Sequence, residues 1–279
     1  MIVEIDSATF LLGSDDPWGY PSDGEGPVRE VRLSAYALES TAVDNEHFRD
    51  FVAATGYRTT AEEEGWSFVF AGLLADDFEA TRSVASTPWW RQVFGASWHQ
   101  PVGPGSTVDD RPDHPVVHIS WNDALVYAHW AGGRLLTEAE WEYAARGGIE
   151  QATFPWGDDE TPGGEHRCNT WQGEFPLSNT VDDGWYDTAP VGSFIANGFG
   201  LHNMVGNVWE WCSDWFTANH EAGPLTDPTG PPVGNARAMR GGSYLCHKSY
   251  CFRYRNSARS SNTPDSGTGN LGFRVAYDR

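Results

Sequence analysis

The sequence predicts a single α+β domain, residues 1–279, in which short helices and short strands are set in a large amount of loop. Three observations carry this reading. The 31 glycines and 17 prolines are scattered without a period, so turns are frequent and neither a collagen-like nor a low-complexity chain is indicated. Helical periodicity appears only in short stretches, and strand-like alternation in runs of about six residues. Nothing in between has linker composition. Hydrophobic residues make up 39% and aromatics 14% of the chain, including 14 Trp, which is enough to build a core and excludes global disorder.

Taken in order, residues 28–33 alternate and predict a strand. Asp44 is placed to cap a short helix in which Phe48, Phe51 and Val52 share a face, with Gly56 ending it. The run Glu62, Glu63, Glu64 reads as a solvated face. Residues 115–120 alternate as a second strand. A helix follows from Trp121 to Trp130, where Trp121, Ala124, Leu125 and Ala128 fall at helical spacing before Gly132 and Gly133. Thr137 and Glu140 then form a capping box ahead of Trp141, Ala144 and Ala145, and Gly147 closes that helix. Residues 157–164 and 262–270 are turn-rich loops by composition, and residues 272–277 predict a last strand.

With 39 acidic against 18 basic residues the formal charge is −21, which disfavours a phosphate-backbone partner, so no nucleic acid is expected. Six of the 18 basic residues, Lys248, Arg253, Arg255, Arg259, Arg274 and Arg279, fall between 248 and 279, predicting a locally cationic C-terminal region. The first residues carry neither a basic segment nor an apolar core of signal-peptide length, and no later stretch is apolar enough for a span. The expectation is a soluble, cytoplasmic chain with no membrane partner.

Four cysteines are too few for a disulfide scaffold. The segment from Arg240 to Arg255 holds Cys246 and Cys251 five positions apart, with Gly241, Gly242, Ser243 and His247 nearby. Spacing leaves three readings open: a redox pair, two inert buried thiols, or a soft-metal site. Two thiolates alone do not complete a zinc site, whereas two-coordinate Cu(I) accepts them, and flanking Lys248, Arg253 and Arg255 are expected to lower the thiol pKa values. Asn203 to Trp211 and Cys168 to Gln172 with Asp182 to Trp185 are oxygen-rich segments that suit Ca²⁺ or simply form turns. Cys168 and Cys212 are expected to be structural. The nine histidines form no HExxH pair, and His118 and His129 read as packing residues. No nucleophile elbow, P-loop or dinucleotide fingerprint is present.

Together these segments resemble the formylglycine-generating enzyme family, the sulfatase-modifying factors. The resemblance is carried by residues 121–148, 169–184, the run Gly206-Asn207-Val208-Trp209-Glu210-Trp211 and above all residues 241–274, and it covers the chain from about Gly24 onward. The GNVWEW run and the helix after Thr137 belong to a wider superfamily. The Cys-His-Lys-Ser-Tyr-Cys segment and the following Arg-Ser-Ser-Asn-Thr-Pro-Asp-Ser are the specific part.

The resemblance implies a C-type-lectin-like fold with little regular secondary structure. It implies Cu(I) held by Cys246 and Cys251, with Ser243 beside an oxygen pocket and Asn270 near the substrate groove; Trp209 and Tyr250 are expected to line the same site from their position alone. It implies two Ca²⁺ sites, one from Asn169, Thr170, Asp183 and Trp185, the other from Asn203, Gly206, Val208 and Glu210. The implied activity is an oxygen-dependent oxidoreductase that uses O₂ and a thiol reductant. It would convert the cysteine of Cys-X-Pro-X-Arg in an unfolded or nascent type I sulfatase to Cα-formylglycine, acting as a monomer. The family's opening Gly-Gly-x-Phe-x-Met-Gly pattern stands here as residues 7–13 with Ser7, Ala8 and Leu12. Leu136 replaces the usual proline, and Ala128, Ala145, Asn256 and Val275 occupy positions that form disulfides in some relatives. The rival readings are a non-catalytic lectin-like binding module and an iron-dependent sulfur-oxidising relative, the latter lacking a histidine triad here.

Overall fold

In the computed structural model, which describes residues 1–220 and 223–279, the chain opens with β1 (Ile2–Ile5), β2 (Ala8–Leu12), β3 (Arg29–Leu33) and β4 (Tyr36–Glu39). It continues through α1 (Asn45–Thr55), α2 (Thr60–Glu64), β5 (Trp66–Phe70), β6 (Ser83–Val84), β7 (Thr87–Phe94), α3 (Trp121–Trp130), β8 (Arg134–Leu135) and α4 (Glu138–Arg146). The remainder supplies β9 (Gly173–Glu174), β10 (Ser178–Asn179), β11 (Trp209–Trp215), β12 (Leu225–Thr226), β13 (Arg237–Arg240), β14 (Arg259–Asn262), β15 (Leu271–Gly272) and β16 (Val275–Asp278). Long loops separate them.

The helices start where their caps stand. Asp44 accepts the His47 amide and Gly56 closes α1 in the left-handed conformation. Ser120 with Asp123, and Thr137 with Glu140, form reciprocal capping boxes on α3 and α4. A third box, Thr59 with Glu62, starts α2, which is too short to show a period. Glu62 is therefore turned back as a cap, while Glu63 and Glu64 are exposed.

Two four-stranded sheets organise the rest: β1-β4-β16-β8 ties the two ends of the chain together, and β14-β13-β11-β15 lies at the centre. Smaller sheets are β12-β3-β2 and β5-β7-β6. The strand expected at 272–277 is split, since Leu271 and Gly272 pair parallel with β11 while β16 pairs with β4 and β8. Phe273 and Arg274 cross between the sheets. The strand expected at 115–120 does not form: only an isolated bridge joins Pro115 to Asp44. Proline brings no amide donor, and His118 adopts a positive φ of 62°, so Val116, Val117 and Ile119 fill the core from an irregular segment.

That core gathers Phe48, Phe51, Tyr127, Trp141, Trp211 and Phe273 between α1, α3, α4 and the sheets. Buried ion pairs run through it. Arg274 Nη2 and Nε meet Glu210 at 2.9 and 3.2 Å, both side chains almost fully enclosed. Arg240 Nη2 lies 2.5 Å from Glu142, which also receives Arg146 at 2.7 Å. Arg259 grips Glu138 through two nitrogens, at 2.8 and 2.5 Å. These pairs overturn the cationic surface expected near the C-terminus. Lys248, Arg253, Arg255, Arg259, Arg274 and Arg279 are each neutralised by Glu160, Asp23, Glu25, Glu138, Glu210 and Glu4 respectively. Among the described residues, no helix is long and apolar enough to cross a membrane.

Breaking such a pair strands an uncompensated buried charge. Arg274→Met is expected to cost roughly 3–5 kcal/mol of stability, measured by urea unfolding. A loss below about 1 kcal/mol, the value of a surface pair, would show that the Arg274–Glu210 contact does not hold β16 to β11.

Candidate active site

The two cysteines are brought together by a loop whose ends are fixed. It leaves β13 at Arg240, anchored on α4, and turns at once through Gly241 and Gly242, both with positive φ. A side chain at Gly241 would strike the Met204 carbonyl and the Trp141 ring, at 2.8 and 3.1 Å, so glycine is required there. Two consecutive turns follow. The Cys246 amide donates to Ser243 O at 2.8 Å, and the amides of Tyr250 and Cys251 both donate to His247 O, at 2.9 and 2.7 Å. The second turn returns the chain so that Cys251 Sγ stands 2.6 Å from Cys246 Sγ, with both cysteines buried and free.

The thiols lie at a cavity of about 170 Å³. Cys246, Cys251, Ser243, Trp209, Tyr250 and Asn270, all singled out from the sequence, line it together. Ser243 Oγ accepts from Asn270 Nδ2 at 2.8 Å and, more weakly, from the Leu245 amide at 3.4 Å. With both lone pairs engaged, its hydroxyl hydrogen is left to act as a donor. Asn270 is itself fixed by Thr268 Oγ1, which donates to its Oδ1 at 2.7 Å, and by the Trp209 amide, which donates to its carbonyl at 2.9 Å.

The thiols are electrostatically unequal. Burial, reinforced by Cys251, pushes Cys246 well above the usual thiol range. Cys251 is lowered, first because Cys246 hydrogen-bonds to it and then by Arg253. The expectation that the flanking cations lower both thiols is therefore corrected: desolvation wins at Cys246, Lys248 is paired with Glu160 and Arg255 with Glu25.

Sequence reasoning did not find the outer wall. Trp89 and Trp90 reach the cavity from β7, and Trp89 packs edge-on to Tyr250 with centroids 4.7 Å apart, while Phe175 stacks on Tyr250 at 4.7 Å. A single indole far away in sequence carries no signal for this. Arg253, noted only as a flanking charge, is a wall residue whose Nε is held 2.5 Å from Asp23.

The oxygen-rich segments differ from each other. In the first, Asp183 accepts the amides of Thr170 and Trp185 at 3.0 and 2.9 Å. Burial raises its pKa, and the buried Asn169 Oδ1 has no partner among the described residues. The Thr170 carbonyl meets the Gln172 amide nitrogen. A half-buried carboxylate without a cationic partner, beside an orphaned amide oxygen, is a donor set that suits a hard cation. In the second, Asn203 Oδ1 is likewise orphaned, and Gly206 packs on the Asn169 carbonyl. The Glu210 carboxylate, however, is taken by Arg274 and by Trp141 Nε1 at 2.8 Å, so this set fits a cation less well. Val208 is buried nearby. Cys168 and Cys212 are enclosed and raised by burial, as inert thiols should be.

The model of the sulfatase-modifying factor enzyme 1-like domain matches residues 1–279. The chain belongs to the sulfatase-modifying factor family. A formylglycine-generating enzyme of Thermomonospora curvata is 56% identical over 99% of this chain and 93% of its own length. An inactive Cα-formylglycine-generating enzyme 2 of Bos taurus is 42% identical over 99% of this chain and 87% of its own length. Among solved structures, PvdO of Pseudomonas aeruginosa superposes with a TM-score of 0.71 at 25% identity, covering 100% of this chain and 94% of that one. The fold is thus the α+β, C-type-lectin-like fold expected from the sequence.

In this member of the family the active-site loop at 267–270 leans on His118, whose amide donates to Thr268 O at 2.9 Å. Its ring meets Ser67 Oγ and Pro101 O, each at 2.8 Å, the packing role expected for it. Burial pushes this imidazole down to about 4, against about 6.5 in the unfolded chain. The folded state resists its protonation, so the stability it lends is complete above pH 6.5 and is lost as pH falls towards 4. The stability difference between the native protein and His118→Asn should shrink by on the order of 3 kcal/mol across that window. A difference that stays constant with pH in denaturant titrations would refute this.

Proposed function

We propose that the chain is a copper-dependent oxidase that converts the cysteine of a Cys-X-Pro-X-Arg segment in an unfolded or nascent sulfatase to Cα-formylglycine. It would work in the cytoplasm as a monomer with O₂ and a thiol reductant. The observation that carries the reading is the meeting of two buried, free thiols with Ser243 and Asn270 at the base of an aromatic-walled cavity. The name and identity of the Thermomonospora relative support it. An inactive relative in the same family means that the fold alone does not carry the activity.

The cysteine pair suits Cu(I) in donor type and number: two soft sulfurs, with no third His, Cys, Asp or Glu grouped with them among the described residues. Cys246 and Cys251, whose sulfurs stand side by side, would hold the ion. Bound there, Cu(I) would supply a soft centre that accepts the client thiolate and passes electrons to O₂.

The rest of the work falls to the protein. Trp89, Trp209 and Tyr250 exclude water around the client side chain. Ser243, its lone pairs already filled, offers its hydroxyl hydrogen to a developing anionic oxygen. The client cysteine loses its thiol proton, one Cβ hydrogen and two electrons to become a thioaldehyde, and water then releases sulfide and leaves the aldehyde. O₂ takes up four electrons to form water; the thiol reductant supplies the two that the client does not. Ca²⁺ would be held by Asn169, Thr170, Asp183 and Trp185, stiffening the loop behind Asn207; Asn203, Gly206, Val208 and Glu210 form the second candidate set.

Incubating a Cys-X-Pro-X-Arg peptide with copper-loaded protein, reductant and air should give the mass change of CH₂SH to CHO. Cys246→Ser and Cys251→Ser should each abolish it. Unchanged peptide with well-folded, copper-loaded protein would move the assignment to a non-catalytic binding module. Calcium should raise the melting temperature of the native protein and leave that of Asp183→Asn unmoved; an equal rise in both would rule out the site at Asp183.

A further inference from the structure

A second cavity, of about 430 Å³, lies on the other side of the central sheet from the thiols. Along β14 the side chains alternate: Ser260 and Asn262 line the thiol cavity, whereas Arg259 lines this one. Its walls combine Arg29, Asp214 and His220 with the apolar faces of Leu12, Trp215 and Leu225, and the 228–232 loop forms its rim.

Arg29 is the feature that needs explaining. Six arginines are buried among the described residues, and five of them pair with a carboxylate: Arg146, Arg240, Arg255, Arg259 and Arg274. Arg29, only 9% exposed, does not. Its one hydrogen bond runs from Nη1 to Pro27 O at 3.0 Å, and its Nε has no partner. The neighbouring carboxylates are already engaged. Glu138 is held by Arg259 and Arg240. Asp214 accepts the Glu138 amide at 3.0 Å and the Ser213 hydroxyl at 3.2 Å, and burial together with the Glu138 charge pushes it up to about 7. His220 is held neutral by burial and by the two arginines. Among the described residues the wall thus carries a buried guanidinium that no carboxylate bonds, a setting that favours an anionic partner.

We propose that this cavity binds a small organic monocarboxylate, its carboxylate on Arg29 and its apolar body between Trp215, Leu225 and the 228–232 loop. A guanidinium with a free edge pairs naturally with a carboxylate. The apolar lining selects an organic ion over a bare inorganic one, and the volume lies in the range of small-molecule sites. The site is independent of the proposed chemistry, since the β13–β14 layer separates it from Cys246 and Cys251.

Phenylacetate serves as the probe and phenylacetamide as its uncharged counterpart, each titrated into the full chain by calorimetry. Phenylacetate should bind saturably with a dissociation constant on the order of 1 mM, and the amide at least about tenfold more weakly. Arg29→Met should lose the binding. So should Thr229→Trp, which fills the mouth from an exposed position and decides the matter if Arg29→Met does not fold. A Cys-X-Pro-X-Arg peptide should not compete. Equal binding of the amide, binding unchanged in Thr229→Trp, displacement by the peptide, or no saturable binding of phenylacetate would each overturn the proposal.

Discussion

The structure depends on buried arginines that serve carboxylates and loop carbonyls at once. A chain with so much irregular backbone must satisfy interior C=O groups that no helix or sheet ladder reaches. Arg259 does so for Asp23, Gly24 and Thr217 while gripping Glu138. Arg274 does so for Glu39 and His202 while paired with Glu210. Arg240 reaches Asn256, and Arg146 reaches Gly13 and Ala152. A buried ion pair alone often gains little over a hydrophobic substitute. A guanidinium is different here because its remaining donors fill places that an aliphatic side chain would leave unsatisfied.

The thiol geometry follows from these anchors. The loop that carries Cys246 and Cys251 is pinned before by Arg240 on α4, and after by Arg253 on Asp23 and Arg255 on Glu25. The Arg255 pair is bidentate, at 2.7 and 2.6 Å. With both ends immobile, two short turns suffice to set the sulfurs side by side, and the glycines at 241 and 242 let the backbone pass close to Met204 and Tyr254. The acidic segment at 23–25, remote in sequence from the cysteines, is therefore part of the site's support.

Elements fixed by a few neighbouring residues were legible in the sequence. Asp44 and Thr137 mark their helices because a cap is a contact over three residues. The thiol pair was legible for the same reason. Tertiary context decided the rest. Residues 115–120 alternate like a strand, yet find no ladder partner beside Pro115. The β5–β7 hairpin, interrupted by a long excursion, gave no compact signal and took Trp89 with it. The cationic C-terminal region dissolved once each charge met its carboxylate, four of which lie within residues 4–138. Glu210 shows the limit most clearly: an oxygen-rich run identifies a carboxylate, but only the fold reveals that Arg274 already holds it.

Charge and softness are the two grounds on which the thiol pair could select an ion. Two thiolates side by side in a buried site would repel strongly, so full ionisation of the pair is disfavoured until a cation meets them. Cys251, lowered by its contact with Cys246 and by Arg253, is the sulfur that gives up its proton more readily. Exchanging that proton for a monovalent soft cation leaves the charge unchanged and adds no desolvation cost of net charge. A divalent ion would instead raise the charge of the pair by one, beside an Arg253 that Asp23 already neutralises. With Arg253 already paired, the softness of the two sulfurs, rather than the local charge balance, is what bears on the class of ion the pair would accept.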